Sequence, residues 1–591
     1  MEKVKIPYGE SDFKTLRKER NEEIMKKIPI GRDNFKDIIE QDFYYVDKTK
    51  MIEELLERGS YVTLFPRPRR FGKSLTISML DEFFNVKKKE ENKNLFNGLK
   101  ISKSKYSNEQ GKYPVIKLNF KDIKYDNWDD MYIKIKMIIQ YLYNQNLNVE
   151  EKLTQFEKIT FNRILFGEAS RPEYEESIKI LSEYLHKYYG KKVVLLIDEY
   201  DVPIQSGYLN GFYKEIVSFI KNMFSSSLKT NDNIQFAVMT GVLRVSKESI
   251  FSDLNNVKVY SLLDETYDEY FGFTEEETKE LLEYYNLELT NSVKEEYDGY
   301  LFGKKEIYNP WSIINYASDK GLEPYWVNTG SNELITNIIC NNSEENTKIQ
   351  IEKLLQGEVL ECEYNEKITF LDLDKSNSIE IILNFLLVSG YLTVTKDTES
   401  VTGYIKVKIP NKEVKTVYVS LIRNWFMEQD PVLSTQFMEF KENILKGNTE
   451  KVNSNLNKIL QSISFVDTKE NFYHGYMLGI FVGFLRDKYI VKSNREAGTG
   501  RFDVMIEKQD RTWGAILEFK IAQDEEDLEN CAQKGLEQIN EKEYYKELEL
   551  DEVKEIKKYA IAFWDKKCKV MWKLIWFQIQ LLKNYWTMLI T

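Results

Sequence analysis

A Gly-Lys-Ser loop between an apolar run and a helical pattern is the feature that most restricts how this 591-residue chain can fold. The run YVTLF at residues 61–65 is typical of a buried β-strand, and the loop PRPRRFGKS follows it at residues 66–74. Residues 75–84 then show the periodicity of a helix. A strand, a loop with G-K-S and a helix are the parts of a phosphate-binding P-loop.

Five residues of the loop have predicted roles. Gly72 lets main-chain N–H groups curve around phosphates, and the helix that follows adds its favourable dipole. Lys73 is predicted to reach the β- and γ-phosphates, and Ser74 to ligate Mg²⁺. Arg69 and Arg70 add positive charge where an anionic nucleotide would bind.

A second strand supplies the partner that a P-loop needs. Arg67 replaces the usual first glycine, so the loop alone fits an ordinary Gly-Lys-Ser turn equally well. The run VVLLI at residues 193–197 ends in Asp198 and Glu199, two carboxylates at the carboxyl edge of a parallel sheet. Asp198 is predicted to hold Mg²⁺ through water, and Glu199 to polarise the attacking water. A core strand ending in solvated acids is the alternative, and the upstream loop favours the functional interpretation.

The alternation of apolar and amphipathic segments extends from about residue 33 to residue 270. Further apolar runs at 115–120 and 235–239 predict a parallel α/β sheet. The last run ends in Thr240, which is predicted to sense the γ-phosphate, and Arg244 follows as a candidate cation for the transition state. An arginine in an exposed loop is the alternative for Arg244. This residue could serve its own subunit or a neighbour's, so an oligomer stays open.

A second group of chemistry-bearing residues lies near the C-terminus. The string GTGRFD ends in Asp503, and the following strand AILEFK carries Glu518 and Lys520 on one face. If the two strands pair, Asp503 joins them. Two carboxylates that bind Mg²⁺ or Mn²⁺ and a lysine that positions water are what metal-assisted phosphodiester cleavage needs. Gln538 and Glu470 are further candidates, and a solvated strand of alternating charges is the alternative.

Composition excludes several classes of protein. The net charge of −12 restricts any contact with DNA or RNA to a local basic groove. Two histidines, His186 and His474, and four scattered cysteines argue against zinc and disulfide frameworks. The N-terminus has no apolar signal-peptide region, and Lys573 and Lys583 interrupt the apolar C-terminal stretch. We therefore expect a cytoplasmic protein without a membrane span, and residues after about 570 have no assigned role.

These motifs resemble those of a bacterial group with an AAA-ATPase-like domain followed by a PD-(D/E)XK nuclease-like domain. The resemblance spans about residues 28–564, and Arg67 is a trait of that group. The strings that carry it are YVDKT (45–49), RPRRFGKS (67–74), LIDEYD (196–201), TGVLR (240–244), FGFT (271–274), YDGY (297–300), YNPWS (308–312), YHG (473–475), SNRE (493–496), GRFD (500–503) and EFK (518–520).

The resemblance, together with the pattern of predicted elements, implies an α/β protein in several domains. A helical lid is predicted after the ATPase core, because residues 275–285 are in helical register, and a winged-helix-like module follows where short strands and helices mix. The predicted domains are an N-terminal extension (1–27), a P-loop AAA-like ATPase core (28–270), the helical lid (271–350), the winged-helix-like module (351–430) and a restriction-endonuclease-like α/β domain (431–591).

Three functions agree with this organisation. The first is an ATP-binding and ATP-hydrolysing protein coupled to a metal-dependent nuclease, acting on foreign DNA. The alternative is a nucleotide-gated module that binds nucleic acid or protein without cleaving. A signalling ATPase with a purely structural C-terminal block is the third.

Overall fold

The computed structural model describes residues 25–229, 231–243, 256–326, 345–355, 357–365, 368–375, 378–397, 403–418, 431–462, 473, 477, 481, 489–493, 496–497 and 500–576. The chain divides into two compact units. The first comprises Met1–Ile335 and Val359–Val414, and the second comprises Thr336–Glu358 and Lys415–Thr591. The domain boundaries given above stay a prediction.

Strands and helices alternate in the first part of the chain. They are α1 (Phe35–Glu40), α2 (Lys50–Arg58), β1 (Val62–Pro66), α3 (Lys73–Phe84), β2 (Val115–Asn119), α4 (Trp128–Asn144), α5 (Gln155–Leu165), α6 (Arg171–Tyr189), β3 (Val193–Asp198), α7 (Val202–Leu209), α8 (Tyr213–Leu228), β4 (Ile234–Gly241) and β5 (Val257–Val259). Short 3-10 helices lie at Val86–Lys88, Lys100–Lys103, Ser107–Glu109 and Leu147–Lys152.

The five strands form one parallel sheet in the order β2-β3-β4-β1-β5. Every residue of β1 and β3 is buried, as expected for central strands of a parallel sheet covered on both faces. The predicted parallel α/β sheet is therefore confirmed. Because β4 lies between β1 and β3, the carboxyl ends of these three strands adjoin each other at one edge of the sheet.

The segment after this sheet combines helices with a small sheet. Its elements are β6 (Phe273–Thr274), α9 (Glu275–Tyr284), α10 (Asn291–Tyr297), β7 (Tyr300–Phe302), β8 (Lys305–Tyr308) and α11 (Pro310–Asp319). Helix α9 begins with a capping box in which Thr274 and Glu277 each bond the other's main-chain N–H, as its Thr cap and acidic first turn suggest. The antiparallel sheet β6-β8-β7 is not predicted by the sequence pattern.

Residues 345–418 add helices and a third sheet. The elements are α12 (Glu345–Leu355), β9 (Leu360–Glu363), α13 (Phe370–Lys375), α14 (Ile379–Ser389), β10 (Thr393–Val394) and β11 (Tyr404–Lys408), and residues 412–418 are helical. The three strands form an antiparallel sheet in the order β10-β11-β9. Helix α12 belongs to the second unit, whereas the sheet belongs to the first.

The second unit is built on a mixed sheet. Its further elements are α15 (Pro431–Lys446), α16 (Thr449–Ser462), β12 (Tyr489–Ser493), β13 (Glu496–Ala497), β14 (Gly500–Arg501), β15 (Val504–Lys508), β16 (Gly514–Ile521), α17 (Leu528–Glu541), α18 (Lys546–Leu550), β17 (Glu555–Trp564) and β18 (Lys567–Trp576). The order is β12-β15-β16-β17-β18, in which only the β16–β17 pair is parallel. Strands β13 and β14 form a separate pair.

Both faces of this mixed sheet are covered by apolar side chains. One face packs with α15 and α16 through residues such as Phe440, Leu456 and Leu517. The other face packs with α17 and α18 through Ile516 and Leu536. A C-terminal α/β domain, as predicted, is therefore confirmed. Among the described residues, no helix combines the length and apolar composition needed to cross a membrane.

Candidate functional site

The Gly-Lys-Ser loop curves directly from β1 into α3. Gly72 caps α3 with a φ of 84°, a left-handed conformation that favours glycine. Lys73 begins the helix and is almost fully buried. Its Nζ donates to the main-chain oxygens of Arg67 and Pro68 at 3.1 and 3.0 Å. The ammonium group is therefore held inside the loop, where a P-loop lysine meets the terminal phosphates.

Asp198 lies at the end of β3, and its buried carboxylate meets the tip of β4. Thr240 Oγ1 donates to Asp198 Oδ1 over 2.6 Å, whereas Oδ2 is buried and has no hydrogen-bond partner among the described residues. Burial raises the pKa of Asp198, and hydrogen bonds from Ser74 and Thr240 oppose that effect. Ser74, Asp198 and Thr240 are thus brought together from three elements of the sequence. An orphaned carboxylate oxygen at this place fits a cation or its bound water.

Glu199 follows in a left-handed conformation, with a φ of 53°. Its Oε1 lies 3.8 Å from Lys73 Nζ, and its side chain is about one-fifth exposed. A glutamate in this region of φ is uncommon, and such strain occurs where a side chain must point in a required direction. Here the turn directs Glu199 toward the loop lysine and leaves Asp198 behind it in the sheet.

Lys73, Ser74 and Glu199 line a cavity of about 320 Å³, and Asp198 and Thr240 are not part of its wall. One part of the wall is polar and consists of the loop residues 69–76, Lys121, Lys124, Glu199 and Gln205. The opposite part is mostly apolar and includes Ile28, Pro29, Tyr44, Val46, Phe273, Leu281, Tyr285 and Ile314. The motif strings YVDKT, FGFT and YNPWS, which have no assigned role in the sequence, all contribute residues to this wall.

Arg69 and Arg70 of the loop lie in different surroundings. Arg69 Nη2 donates to Gln205 Oε1 at 3.2 Å. The guanidinium of Arg70 stacks on Trp311, 4.2 Å from its ring centre. Arg244, the predicted transition-state cation, lies outside the described residues.

In the second unit, antiparallel pairing of β15 with β16 brings the three predicted C-terminal residues together. Val504 pairs with Leu517, so Asp503 lies opposite Glu518. Asp503 Oδ2 accepts from the main-chain N–H of Phe519 at 2.7 Å. Lys520 Nζ donates to Glu518 Oε1 at 2.9 Å, and Glu518 is almost fully buried while Lys520 is partly exposed.

Helix α17 completes this second site. Gln538 Nε2 donates to Glu518 Oε1 and lies 3.1 Å from the hydroxyl of Tyr544. Gly535 allows the helix to approach, because a Cβ there would lie 2.9 Å from Ala560 Cβ and 3.5 Å from Lys520 Cγ. Gln538 therefore reaches the acidic group as expected, whereas Glu470 lies outside the described residues.

Comparison with protein families agrees with this geometry. Residues 29–251 match the family model described as predicted AAA-ATPase, and residues 468–573 match that of the PD-(D/E)XK nuclease superfamily. The chain carries both domains. The match of the AAA-ATPase-like domain covers the loop, the Asp-Glu turn and Thr240, and that of the nuclease-superfamily domain covers Asp503, Glu518, Lys520 and Gln538.

The chain is also similar to a protein of Azotobacter chroococcum mcd 1 named "Uncharacterized protein in vnfD 5'region". The two are 32% identical over 321 residues, which is 53% of this chain and 56% of the relative. The chain thus spans little more than half the length of that relative.

Two features of the AAA-ATPase-like domain escape the sequence analysis, and Arg67 is the first. Its side chain is fully buried and is not part of the cavity wall. Nη1 donates to the main-chain oxygens of Pro66 and Tyr260, and burial lowers the pKa of the guanidinium to about 10. The departure from the usual glycine therefore gives the loop a structural support.

The second missed feature is the pair Tyr200 and Asp201, directly after Glu199. Asp201 Oδ2 accepts from the main-chain N–H groups of Val242 and Leu243 at 2.8 and 2.9 Å. The Tyr200 hydroxyl donates to the main-chain oxygen of Leu243. Burial raises the pKa of Asp201. The acidic turn therefore fixes the loop that follows Thr240.

Proposed function

We propose that the chain binds and hydrolyses ATP in this cavity, and that its nuclease-superfamily domain cleaves DNA with a divalent metal. The proposed ATP hydrolysis rests on one observation: the carboxyl edge of the parallel sheet brings together Lys73, Asp198, Glu199 and Thr240. Lys73 follows β1, Asp198 and Glu199 lie at the end of β3, and Thr240 lies near the end of β4, which is the edge where α/β sheets bind their ligands.

Mg²⁺ fits the residues at the phosphate end of the cavity. Asp198 Oδ2 is buried and has no hydrogen-bond partner within the described part of the chain, and Ser74 lies beside this carboxyl group. Ser74 would ligate the metal and Asp198 would hold it through water, and the ion would neutralise charge on the β- and γ-phosphates. Thr240 donates to Asp198 Oδ1 and so keeps the carboxylate oriented.

Hydrolysis would use the protein as follows. A water attacks the γ-phosphorus, the bond to the oxygen bridging the β- and γ-phosphates breaks, and ADP leaves with the bonding electron pair. Glu199 accepts the proton of the water, while Lys73 offsets charge on the phosphate oxygens. The separation of 3.8 Å between these two side chains supports this division of roles.

The apolar part of the cavity wall would accept the nucleotide base. Tyr44, Tyr285 and Pro29 offer flat or rigid surfaces of the kind on which a purine ring packs, and Val46 and Ile314 exclude water beside them. The polar and apolar parts of one cavity thus match the two ends of ATP.

The nuclease-superfamily domain has the donor set for a metal-assisted cut. Asp503 and Glu518 would bind Mg²⁺ or Mn²⁺, Lys520 would position the attacking water, and Gln538 would orient Glu518. Use of this activity against foreign DNA belongs to the same proposal. Oligomer formation and contact with RNA also stay proposals.

Nucleotide binding is tested by titrating wild type, Lys73→Ala and Glu199→Gln with a fluorescent ATP analogue and by measuring phosphate release. Lys73→Ala should lose binding, whereas Glu199→Gln should bind ATP but hydrolyse it at least about 100-fold more slowly. Lys179→Ala is the matched control, because Lys179 lies on α6 and pairs with Glu176 away from the cavity. Unchanged binding by Lys73→Ala would contradict the site.

Cleavage is tested on plasmid and linear DNA with Mg²⁺ or Mn²⁺, with and without ATP. We expect cutting by wild type and by Lys508→Ala, whose lysine is on β15 and pairs with Asp510, but not by Lys520→Ala. If pure wild type cuts under none of these conditions, the nuclease proposal fails. The nucleotide-gated binding module then becomes the better account, and DNA binding with a strong salt dependence would support it.

A further inference from the structure

Arg70 has an unusual backbone for a residue in a phosphate loop. Its φ is 69°, although it has a side chain, and this conformation turns the guanidinium toward α11. There it stacks on Trp311 at 4.2 Å from the ring centre, which is the geometry of a cation–π contact. The strained backbone of Arg70 thus holds its guanidinium in one position.

Trp311 is itself held firmly. Its indole Nε1 donates to the main-chain oxygen of Tyr325 at 3.1 Å. Its main-chain N–H, at the start of α11, donates to Asn309 Oδ1 at 2.9 Å, and the next N–H, of Ser312, reaches the same oxygen. A ring fixed at both its edge and its backbone is a rigid support for the arginine.

The charged groups around Arg70 lie at the phosphate end of the cavity. Glu199 and Asp33 stabilise its positive charge, Arg69 opposes it, and partial burial lowers the pKa of the guanidinium. Arg70, Trp311 and Glu199 all line the cavity, together with Lys73. The guanidinium is therefore close enough to Glu199 to feel the charge of its carboxylate.

We infer that Arg70 is the cation that neutralises the charge developing on the phosphoryl group, and that Trp311 is its positioning residue. This inference rests on the proposed ATP hydrolysis and deepens it. As the bond between the γ-phosphorus and the bridging oxygen breaks, the electron pair moves to ADP, and Arg70 stabilises the negative charge on the oxygens of the γ-phosphoryl group. Since Arg70 is part of the same loop as Lys73, the chain supplies this group within its own subunit.

The experiment compares wild type with Arg70→Ala, Arg70→Lys, Trp311→Phe and Trp311→Ala. Three quantities are measured: the Kd for ATP, kcat for phosphate release over a range of protein concentrations, and the Kd for ADP with aluminium fluoride, which mimics the phosphoryl group in transfer. Arg171→Ala is the matched control, because Arg171 also stacks on a tryptophan, Trp128, but lies outside the cavity wall.

Arg70→Ala should lower kcat by about 1,000-fold while the Kd for ATP changes by about threefold or less. Arg70→Lys keeps the charge but not the planar stacking, and should recover only part of kcat. Trp311→Ala should lower kcat and weaken aluminium fluoride trapping, and Trp311→Phe should restore both, since it keeps an aromatic face. In wild type, kcat per chain should not depend on protein concentration.

The outcomes separate the two proposals. If wild type neither binds nor hydrolyses ATP, the proposed function fails and the inference with it. If wild type hydrolyses ATP and Arg70→Ala keeps its kcat, or if kcat rises steeply with concentration, only the inference is overturned, because another arginine then supplies the charge. If thermal unfolding shows that Trp311→Ala is poorly folded, the comparison of Arg70→Ala with Arg70→Lys alone tests the inference.

Discussion

Arg67 Nη1 donates a hydrogen bond of 2.7 Å to the main-chain oxygen of Tyr260, which follows β5. The guanidinium also packs 5.1 and 5.5 Å from the rings of Phe271 and Phe302. The start of the phosphate loop is therefore tied to residues almost 200 positions later in the chain. The residue that makes the motif unusual is the one that holds it in place.

Restoring the common glycine should therefore harm the protein. Arg67→Gly would leave buried main-chain oxygens without donors and open a cavity, and we expect a loss of about 3 kcal/mol in the free energy of unfolding. ATP binding should weaken as well. Urea unfolding and nucleotide titration check both effects, with Arg32→Gly, on the rim of the cavity, for comparison. An Arg67→Gly protein that is as stable as wild type would contradict the structural role.

Thr240 offers a sharper test of the metal site. Thr240→Val keeps the shape but removes the donor to Asp198 Oδ1, so the pKa of Asp198 should rise further and the carboxylate should become a poorer partner for Mg²⁺. We expect at least about tenfold weaker binding of Mg²⁺ with ATP near pH 6, by isothermal titration calorimetry. Thr240→Ser retains the hydroxyl and should behave like wild type. Equal affinities for the Val and Ser variants would show that the hydrogen bond has no such role.

Glu413 makes the stability of the first unit depend on pH. It is buried and accepts hydrogen bonds from Ser312 Oγ at 2.8 Å and from the main-chain N–H of Trp326 at 2.7 Å. Burial raises its pKa to about 8, and Glu296 adds to that effect. The folded state thus keeps a proton that the unfolded chain releases above its ordinary pKa, so this group costs stability as pH rises from about 5 to 8.

Glu413→Gln should remove that dependence, because glutamine resembles the protonated acid. Relative to this variant, wild type should lose roughly 2 kcal/mol or more between pH 5 and pH 8, with little change above. Chemical unfolding at several pH values measures the difference. Glu295→Gln, at an exposed ion pair with Lys412, is the control. Parallel pH profiles for wild type and Glu413→Gln would mean that Glu413 is already ionised near pH 5.

Gln538 should matter for metal binding in the nuclease-superfamily domain. Gln538→Leu removes the donor that orients Glu518, and groups behind the ligands commonly change metal affinity by about 10- to 100-fold. Mn²⁺ binding by calorimetry is the measurement. Gln533→Leu is the control, because Gln533 lies on the same helix and donates to Glu537 at the surface, so its loss should leave the affinity unchanged. A Gln538→Leu protein with wild-type affinity would remove Gln538 from the site.

The sequence predicts the parallel sheet well because its strands are short, apolar and bounded by turns. It also places Lys73 and Asp198 together, since the ends of parallel strands share one edge. The small sheet β6-β8-β7 could not be predicted, because strands of two to four residues are too short to show a period. The predicted roles of the individual site residues stay predictions.

Other features depend on contacts that no local pattern contains. Asp201 looks like an ordinary acid after a strand, yet its partners are main-chain groups about 40 residues later. In the sequence, Arg67 is only a departure from the P-loop motif. Its structural role becomes clear from the distant main-chain oxygens that accept its hydrogen bonds. The string LIDEYD, which is one of those that carry the family resemblance, includes Asp201 and is the signal that could have marked it.

The chain passes between its two compact units three times, at residues 335, 358 and 414. A fragment that stops before residue 336 would therefore lack Glu413, which accepts a hydrogen bond from Ser312. It would also lack Gly390, and the main-chain oxygen of Gly390 accepts a hydrogen bond from Tyr300 beside the phosphate loop. A fragment that begins at residue 415 would lack α12. A test of either domain therefore needs the full chain, because no single cut leaves both compact units whole.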